Sequence, residues 1–362
     1  MAPMRTVLIF GQLEMASAAV AWGLRQCGVD VLLQETVSNG DLNSFSIWIR
    51  ANEVRRTISP NAVWWYRPSY PIVPLNVEQS DIDFVKREWV AYHQCVVRDL
   101  LNKSAFWVNP LDNAFVSENK AYQLHIANKA QMQVLPTLIS TDYKDIISFA
   151  RKHKEIIFKP FTPHLWITQK SFVAASVAAS PGILDLKTFN AEIASLCPAI
   201  YQKKIDACAD IRITVIGNHY FGVRIEAVHP LIRSTPGMWR QFFGSRGVKL
   251  SVYLVSSSLR KKIRTYMNAM GIVYCAFDFI EDSIGTLHFL EGNQSGQFLP
   301  CELALPELPM LAAFVAMLFA SSKTFDYDSI ASRISLEKFI ASVDTQEISK
   351  GTKLSPEYIS RE

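Results

Sequence analysis

No C-x-x-C pair occurs in the sequence: its six cysteines, Cys27, Cys95, Cys197, Cys208, Cys275 and Cys301, are scattered. That excludes a disulfide framework and a thiolate zinc site, and it suits a reducing cytoplasm. The seven histidines contain no H-x-x-x-H pair, so zinc is not expected. G-x-x-x-x-G-K-[ST] is missing, which rules out a P-loop. The Gly-containing turn GQLEMAS after the first apolar run lacks G-x-G-x-x-G, which disfavours a dinucleotide site. There is no long Lys/Arg block, and no nucleic-acid partner is expected. MAPMRTVLIFGQ lacks the charged-then-apolar layout of a signal peptide. The stretch from Met310 to Ala320 is too short to span a bilayer and reads as a buried helix, so no membrane partner is expected. Internal repeats and low-complexity segments are absent.

What remains is an ordinary globular composition of 362 residues, 49% hydrophobic and 19% charged, with a net charge of +4. The length allows two or three domains, and the mild basicity suits phosphate or acidic partners. Thr6–Phe10, a helical stretch from Met15 to Gln26 closed at Gly28, and Val29–Leu33 form a βαβ opening, which implies a parallel sheet. Ala62–Tyr66 reads as a strand before a Pro-rich loop at 68–74. A helix follows with Ile82, Val85, Trp89, His93, Val96 and Leu100 at helical spacing, Trp89 and His93 being core residues. Phe106–Pro110 closes this first region near 112.

Farther on, Ala114–Ala130 reads as one helix carrying Lys120 and Gln123, Val134–Ile139 as a short strand and Asp142–His153 as a helix. Glu155–Lys159 is a strand that stops at Pro160. A polar loop at 161–171 holds His164 and Trp166. Ile211–Ile216 and His219–Glu226 flank Gly217-Asn218, a strong hairpin signal. Pairing Ile216 with His219 puts Arg212 opposite Val223 and turns Arg224 to the other face. Leu259–Met270 is a helix ending at Gly271, with Ile263, Tyr266, Met267 and Met270 inward. The tail from 346 onward is polar and expected to fray.

The stretch CAFDFIEDSIGTLHFLEGNQSGQF, 275–298, carries the chemistry. Two β-type runs flank the turn Asp282–Gly285. Folding the hairpin about Ile284-Gly285 sets Asp278 opposite Glu291, and Asn293 shares a face with Glu291. Three oxygen donors on one face suit a hard divalent cation such as Mg²⁺; the plainer alternative is a solvated hairpin with surface acids. Lysines near such a cation point to nucleotide triphosphate chemistry.

The order of motifs resembles the ATP-grasp ligases. Lys120 with Gln123-Leu124, Phe158-Lys159-Pro160, Tyr201-Gln202-Lys203-Lys204-Ile205, Asp210-Ile211-Arg212, Phe277-Asp278-Phe279 and Leu290-Glu291-Gly292-Asn293 carry the resemblance, over about 60–305. More narrowly the chain resembles the peptide maturases of the microviridin or graspetide type. Their W-x-R-R-P is echoed by Trp65-Tyr66-Arg67-Pro68 with one Arg fewer. Their N-P-x-G-Q-[WF] is echoed by Asn293–Phe298 with Gln294 for Pro, and their D-W-R by Met238-Trp239-Arg240 without the Asp.

The resemblance implies an α/β (α+β) chain of four parts. These are an N-terminal parallel pre-ATP-grasp domain at 1–112, a central subdomain at 113–198, a C-terminal subdomain at 199–325 with the metal site, and an extension at 326–362. The two subdomains would sandwich ATP. It further implies that Lys120 and Lys159 contact ATP phosphates and that Gln202, Lys203, Lys204 and Ile205 form the adenine hinge. Lys203 stands where the family usually has an acid. Asp206 or Asp210 would bind ribose, and Arg212 would stabilise the transferring phosphate. Arg240 would hold an acyl phosphate or substrate carboxylate, a plain surface role being the alternative. Asp278, Glu291 and Asn293 would hold one or two Mg²⁺ ions. Gly292 replaces an apolar β-branched residue of the family, and a backbone kink is expected there.

The reaction so implied is ATP-dependent activation of a carboxylate as an acyl phosphate, followed by attack of a hydroxyl or amine. In the maturase reading both groups belong to a ribosomal precursor peptide, which becomes a macrocyclic ester or amide. The alternatives are a ligase joining an amino acid or small amine to a separate peptide or small carboxylic acid, and a catalytically weakened peptide- or nucleotide-binding protein. A homodimer is the default assembly.

Overall fold

A computed structural model describes residues 5–11, 14–34, 47–50, 53–56, 60–67, 77–100, 105–161, 182–228 and 247–342. The expected loop at 68–74, the expected loop at 161–171 except Phe161, Arg240 with its neighbours Met238 and Trp239, and the tail from 346 lie outside these residues.

The chain opens with β1 (Thr6–Gly11), α1 (Met15–Gln26) and β2 (Asp30–Gln34), a parallel βαβ unit as the apolar periodicity predicts. β3 (Ile47–Arg50) and β4 (Glu53–Arg56) form a separate antiparallel ribbon. β5 (Ala62–Tyr66), α2 (Ile82–Leu100) and β6 (Phe106–Val108) complete a parallel sheet of order β2-β1-β5-β6. α1 ends where Gly28 takes φ +73°, a left-handed position that glycine occupies without penalty.

The expected single helix at 114–130 is two: α3 (Leu111–Ser117) and α4 (Lys120–Lys129). Asn119 breaks it, because its side chain accepts from the Tyr122 N–H at 2.9 Å and starts a new helix. The expected strand at 134–139 is also divided. β7 (Gln133–Val134) pairs with one sheet and β8 (Thr137–Ser140) with another, Pro136 between them having no N–H to donate. α5 (Tyr143–His153), β9 (Ile156–Lys159), β10 (Gly182–Ile183), α6 (Ala191–Leu196) and β11 (Ala199–Lys203) follow. The antiparallel sheet β10-β9-β11-β8 is backed by α5 through Ile146 and Ala150.

β12 (Ala209–Ile216), β13 (His219–Ala227), β14 (Val248–Val252), α7 (Ser257–Met270), β15 (Tyr274–Glu281) and β16 (Leu287–Asn293) form the last large unit. Its sheet has the order β14-β13-β12-β15-β16-β7. The expected division at 199 thus falls before β11, which pairs with β8 and β9. The chain passes between the two sheets at Leu135-Pro136 and again at 204–208.

α7 buries Ile263, Tyr266, Met267 and Met270, the positions expected from their spacing, against one face of the six-stranded sheet. α8 (Leu299–Ala304), α9 (Met310–Ala320), α10 (Asp328–Ala331) and α11 (Leu336–Ser342) close the described chain. α9 is buried on every side from Met310 to Leu318, which explains its uninterrupted apolar sequence. Its Phe314 ring lies 4.7 Å from Trp64 of β5 and 5.3 Å from Tyr274 of β15, joining the N-terminal sheet to the six-stranded one.

One carboxylate organises this junction. Glu302, 3% exposed, accepts from the N–H of Leu311 at 2.6 Å and of Leu336 at 3.2 Å, at the starts of α9 and α11. Burial pushes its carboxyl up to about 7, against the pull of the backbone donors. A raised acid pKa means that the folded state holds the proton more tightly than the unfolded state does. The associated stability is therefore full below the ordinary Glu range and is lost as pH rises through 7. Thermal unfolding followed from pH 5 to 8 should show a fall worth up to about 3 kcal/mol that Glu302→Gln abolishes.

Candidate active site

The site is a row of side chains across three strands. Arg212 of β12 stands opposite Asp278 of β15, and Asp278 opposite Glu291 of β16. Arg212 Nη1 donates to Asp278 Oδ1 at 2.8 Å. Asn293 Nδ2 donates to Asp278 Oδ2 at 3.3 Å and to Glu291 Oε1 at 3.1 Å. Lys120, the first residue of α4, closes the row with Nζ 2.6 Å from Glu291 Oε2. A lysine at the positive end of a helix is electrostatically unfavourable for the helix, and here the ion pair with Glu291 offsets that cost.

A bulge makes this row possible. Asp278 pairs with Glu291, but Phe279 pairs with Phe289, leaving Leu290 as an extra residue. Strict alternation would put residues 289 and 291 on the same face. The bulge lets Phe289 enter the core beneath α7 while Glu291 faces the site. The expected kink at Gly292 is thus displaced to Leu290. Gly292 serves the packing instead, since a Cβ there would sit 3.1 Å from both Cys275 Sγ and Tyr266 Oη. Its backbone is held on both sides by Gln123, which accepts from the Gly292 N–H at 3.1 Å and donates to its carbonyl at 3.0 Å. Gln123 behaves as one rung of a missing neighbouring strand.

The electrostatics follow from this packing. Burial pushes the Glu291 carboxyl upward, but the Lys120 ammonium, with lesser help from Asn293 and Lys159, overcomes it and brings it to about 2. Burial likewise opposes the Arg212 charge, and the adjacent Asp278 carboxylate more than offsets it, so the guanidinium pKa is raised. Arg224 lies on the opposite face, paired with Glu281 and Glu226.

Lys159 and the hinge segment belong to the other sheet. Lys159 Nζ reaches Gln202 Oε1 at 3.4 Å, and Gln202 Nε2 donates to Thr137 Oγ1 at 2.9 Å. The N–H groups of Lys203 and Lys204 are taken by the carbonyls of Pro136 and Glu155. Among the described residues nothing accepts from the Ile205 N–H. Lys203 is exposed, and Lys204 pairs with Glu155 at 3.0 Å. Asp210 shares the strand face of Arg212, whereas Asp206 is exposed. Arg240 lies outside the described residues.

These residues fit a nucleotide with a divalent cation. Arg212 Nε is buried without a partner, a donor suited to an anionic oxygen. The Ile205 N–H offers a backbone donor at the hinge. Asp278, Glu291 and Asn293 supply hard oxygen ligands. No group of three or more His, Cys, Asp or Glu occurs among the described residues, because the third candidate ligand is an amide.

Three connections escaped sequence reasoning. Buried Asn109 after β6 donates to the Tyr274 and Gln294 carbonyls at 2.9 and 3.0 Å and accepts from the N–H groups of Val273 and Tyr274. Gln294 Nε2 donates to Glu118 at 3.0 Å. Glu14 receives Tyr66 and Gln297. A polar residue directly after a short apolar strand was the only available signal for Asn109.

The architecture is that of solved ATP-grasp ligases. The ATP-grasp ligase associated with ribosomal peptide maturation in Chryseobacterium gregarium, solved with ADP and a leader and core peptide, superposes with a TM-score of 0.76 at 15% identity, over 88% of this chain and 98% of that one. The macrocyclase MdnC of Microcystis aeruginosa MRC, bound with precursor peptide MdnA, gives 0.69 at 18% identity over 88% and 100%. The ATP-grasp ligase PsnB, complexed with a phosphomimetic variant of its minimal precursor, Mg and ADP, gives 0.64 at 17% over 88% and 98%. No protein-family model and no curated protein matches the sequence. The chain therefore has the ATP-grasp fold over most of its length.

Replacing Lys120 with Met removes the largest charge that opposes burial at Glu291, leaving Asn293 and Lys159. Carboxyl-carbon NMR should then show Glu291 titrating well above its wild-type position near 2. In the wild type the stability it contributes is present above the ordinary Glu range and fades as pH falls toward 2; in the variant that acid-sensitive contribution shrinks.

Proposed function

We propose that the protein is an ADP-forming ligase that activates a carboxylate as an acyl phosphate and transfers the acyl group to a hydroxyl or amine. The carboxylate and the nucleophile are side chains of one ribosomal precursor peptide, and the product is a macrocyclic ester or amide. The row Arg212–Asp278–Glu291–Asn293, bracketed by Lys120 and Lys159, carries this reading. Solved ligases of the same fold, with a precursor peptide, ADP or Mg in place, support it.

Bound Mg·ATP would supply the phosphoryl group and a compensating positive charge beside it. Asp278, Glu291 and Asn293 would hold the metal. Lys120 and Lys159 neutralise phosphate charge, and the segment Gln202–Ile205 holds the base, with the Ile205 N–H as donor. Asp210, on the Arg212 face, is the better placed of the two candidates for the ribose. Arg212 offers Nε to the oxygens of the phosphoryl group in transfer, and Arg240 holds the acyl phosphate or substrate carboxylate. No Ser-His-Asp triad is needed, since positioning and electrostatics carry such reactions.

The same reading has the enzyme in the cytoplasm, as a homodimer, with a precursor peptide as its partner. All six cysteines are free thiols, and no described helix is long and apolar enough to cross a membrane.

Mass spectrometry of a peptide encoded beside this gene, incubated with the protein, ATP and Mg²⁺, should show loss of one water per linkage with matching ADP release. A gain in peptide mass would instead establish ligation of a second substrate. Asn293→Ala and Arg212→Met should each lower turnover by about two orders of magnitude. ADP release unaffected by both substitutions would refute the assignment.

A further inference from the structure

Among the described residues, the N-terminal sheet meets the strap 295–297, which runs beside the site. β1 and β5 are adjacent and parallel, and their carboxyl ends, Gly11 and Tyr66, stand side by side. β1 has β2 on its other side, so the connections diverge at this edge, the position where open α/β sheets form a crevice. Glu14, at the start of α1, lies there. Tyr66 Oη donates to the Glu14 carboxylate, and Gln297 Nε2 donates to Glu14 Oε1 at 3.4 Å. Gln297 follows β16 in the strap 295–297, and every residue of that strap is held. Arg67 Nε donates to the Ser295 carbonyl at 3.2 Å, Tyr274 Oη donates to that of Gly296, and Arg212 Nη2 donates to that of Gln297 at 3.0 Å. The fit is close: a Cβ on Gly296 would stand 2.6 Å from Ala276 Cβ and 3.1 Å from Arg212 Nη2.

The last of these bonds matters most. A guanidinium beside a carboxylate favours a bidentate fork. Here Arg212 gives Asp278 only Nη1, because the Gln297 carbonyl holds Nη2. Nε is left buried and without a partner. The second oxygen of Asp278 faces Asn293 instead of the guanidinium.

We infer that Glu14 is a positioning residue for the phosphoryl-transfer site: by anchoring Gln297 it keeps Arg212 from forking onto Asp278. The orientation of Arg212 rests on the geometry alone. Its consequence, that Nε stays available to a phosphoryl oxygen and that the Asp278 carboxylate is not clamped by both Nη groups where a metal would bind, rests on the nucleotide reading. The crevice of the N-terminal sheet and the metal row are then one coupled unit, so whatever occupies the crevice shifts Arg212.

Two measurements separate these layers. A crystal structure of ligand-free Glu14→Ala should show both Nη atoms of Arg212 on Asp278; Arg212 still divided between Asp278 and Gln297 overturns the inference. Electron paramagnetic resonance titration of Mn²⁺ in the presence of ADP should show binding weakened about five- to tenfold in Glu14→Ala and nearly restored in Glu14→Gln. Tyr66→Phe, which removes only a hydroxyl, should shift binding in the same direction by less. Against an Arg212→Met background, Glu14→Ala should cost nothing more; the same loss there would make Glu14 merely structural and end the proposal. If the wild type takes up no Mn²⁺ with ADP, the nucleotide reading fails, and the crystal structure still decides the role of Glu14.

Discussion

The proposed site is arranged around one row of charge, Arg212, Asp278, Glu291 and Lys120, in which two adjacent carboxylates stand between two cations. Two carboxylates side by side in a half-buried site repel each other. A cation stands at each end, the guanidinium on Asp278 and the ammonium on Glu291, and the ammonium holds the Glu291 carboxyl well below the ordinary range. The row demands three things of the fold. β12, β15 and β16 must keep register, β16 must bulge at Leu290, and α4 must start at Lys120. The hairpin β12–β13, the Asn119 break and the Gln123 clamp on Gly292 supply these.

The larger architecture serves to bring other groups to that row. The two antiparallel sheets are tied by short passages at Leu135-Pro136 and 204–208, so Lys159 and the Gln202–Ile205 segment come from a sheet separate from the one that carries Arg212, Asp278 and Glu291. The N-terminal sheet is fixed by apolar contact through α9 and Phe314 and by polar contact through Asn109 and Glu14. Apolar packing gives the junction its strength, and directional bonds set its angle. In this arrangement a change at the crevice of the first sheet reaches Arg212 through the residues of one strap.

Much of this was legible in the sequence wherever the signal was local and periodic. α1 and α7 follow from apolar patterning, α9 from an unbroken apolar run too short to span a bilayer, and the β12–β13 register from Gly217-Asn218. A turn at Ile284-Gly285 predicts the facing of Asp278 and Glu291, but the pairs next to the turn are centred on Ile284, and it is the bulge at Leu290 that brings Glu291 opposite Asp278. What failed were features in which one residue overrides a period. Asn119 divides a helix, Pro136 divides a strand, and Leu290 bulges, each against an otherwise continuous pattern. The polar ties from Asn109 and Glu14 were illegible for another reason. They join residues far apart in the chain, and no spacing rule marks an isolated polar side chain that will find a distant carbonyl.

The central claim is that both ATP-grasp sheets close on one Mg·nucleotide over the charged row. Amide hydrogen exchange with and without Mg·ADP tests it most directly. Protection should appear together in Tyr201–Ile205, with the Ile205 amide strongest, and in the β15–β16 segment from Asp278 to Asn293. Protection in neither, or confined to the cavity lined by Arg5, Cys27 and Arg333 at the far end of β1, would contradict it.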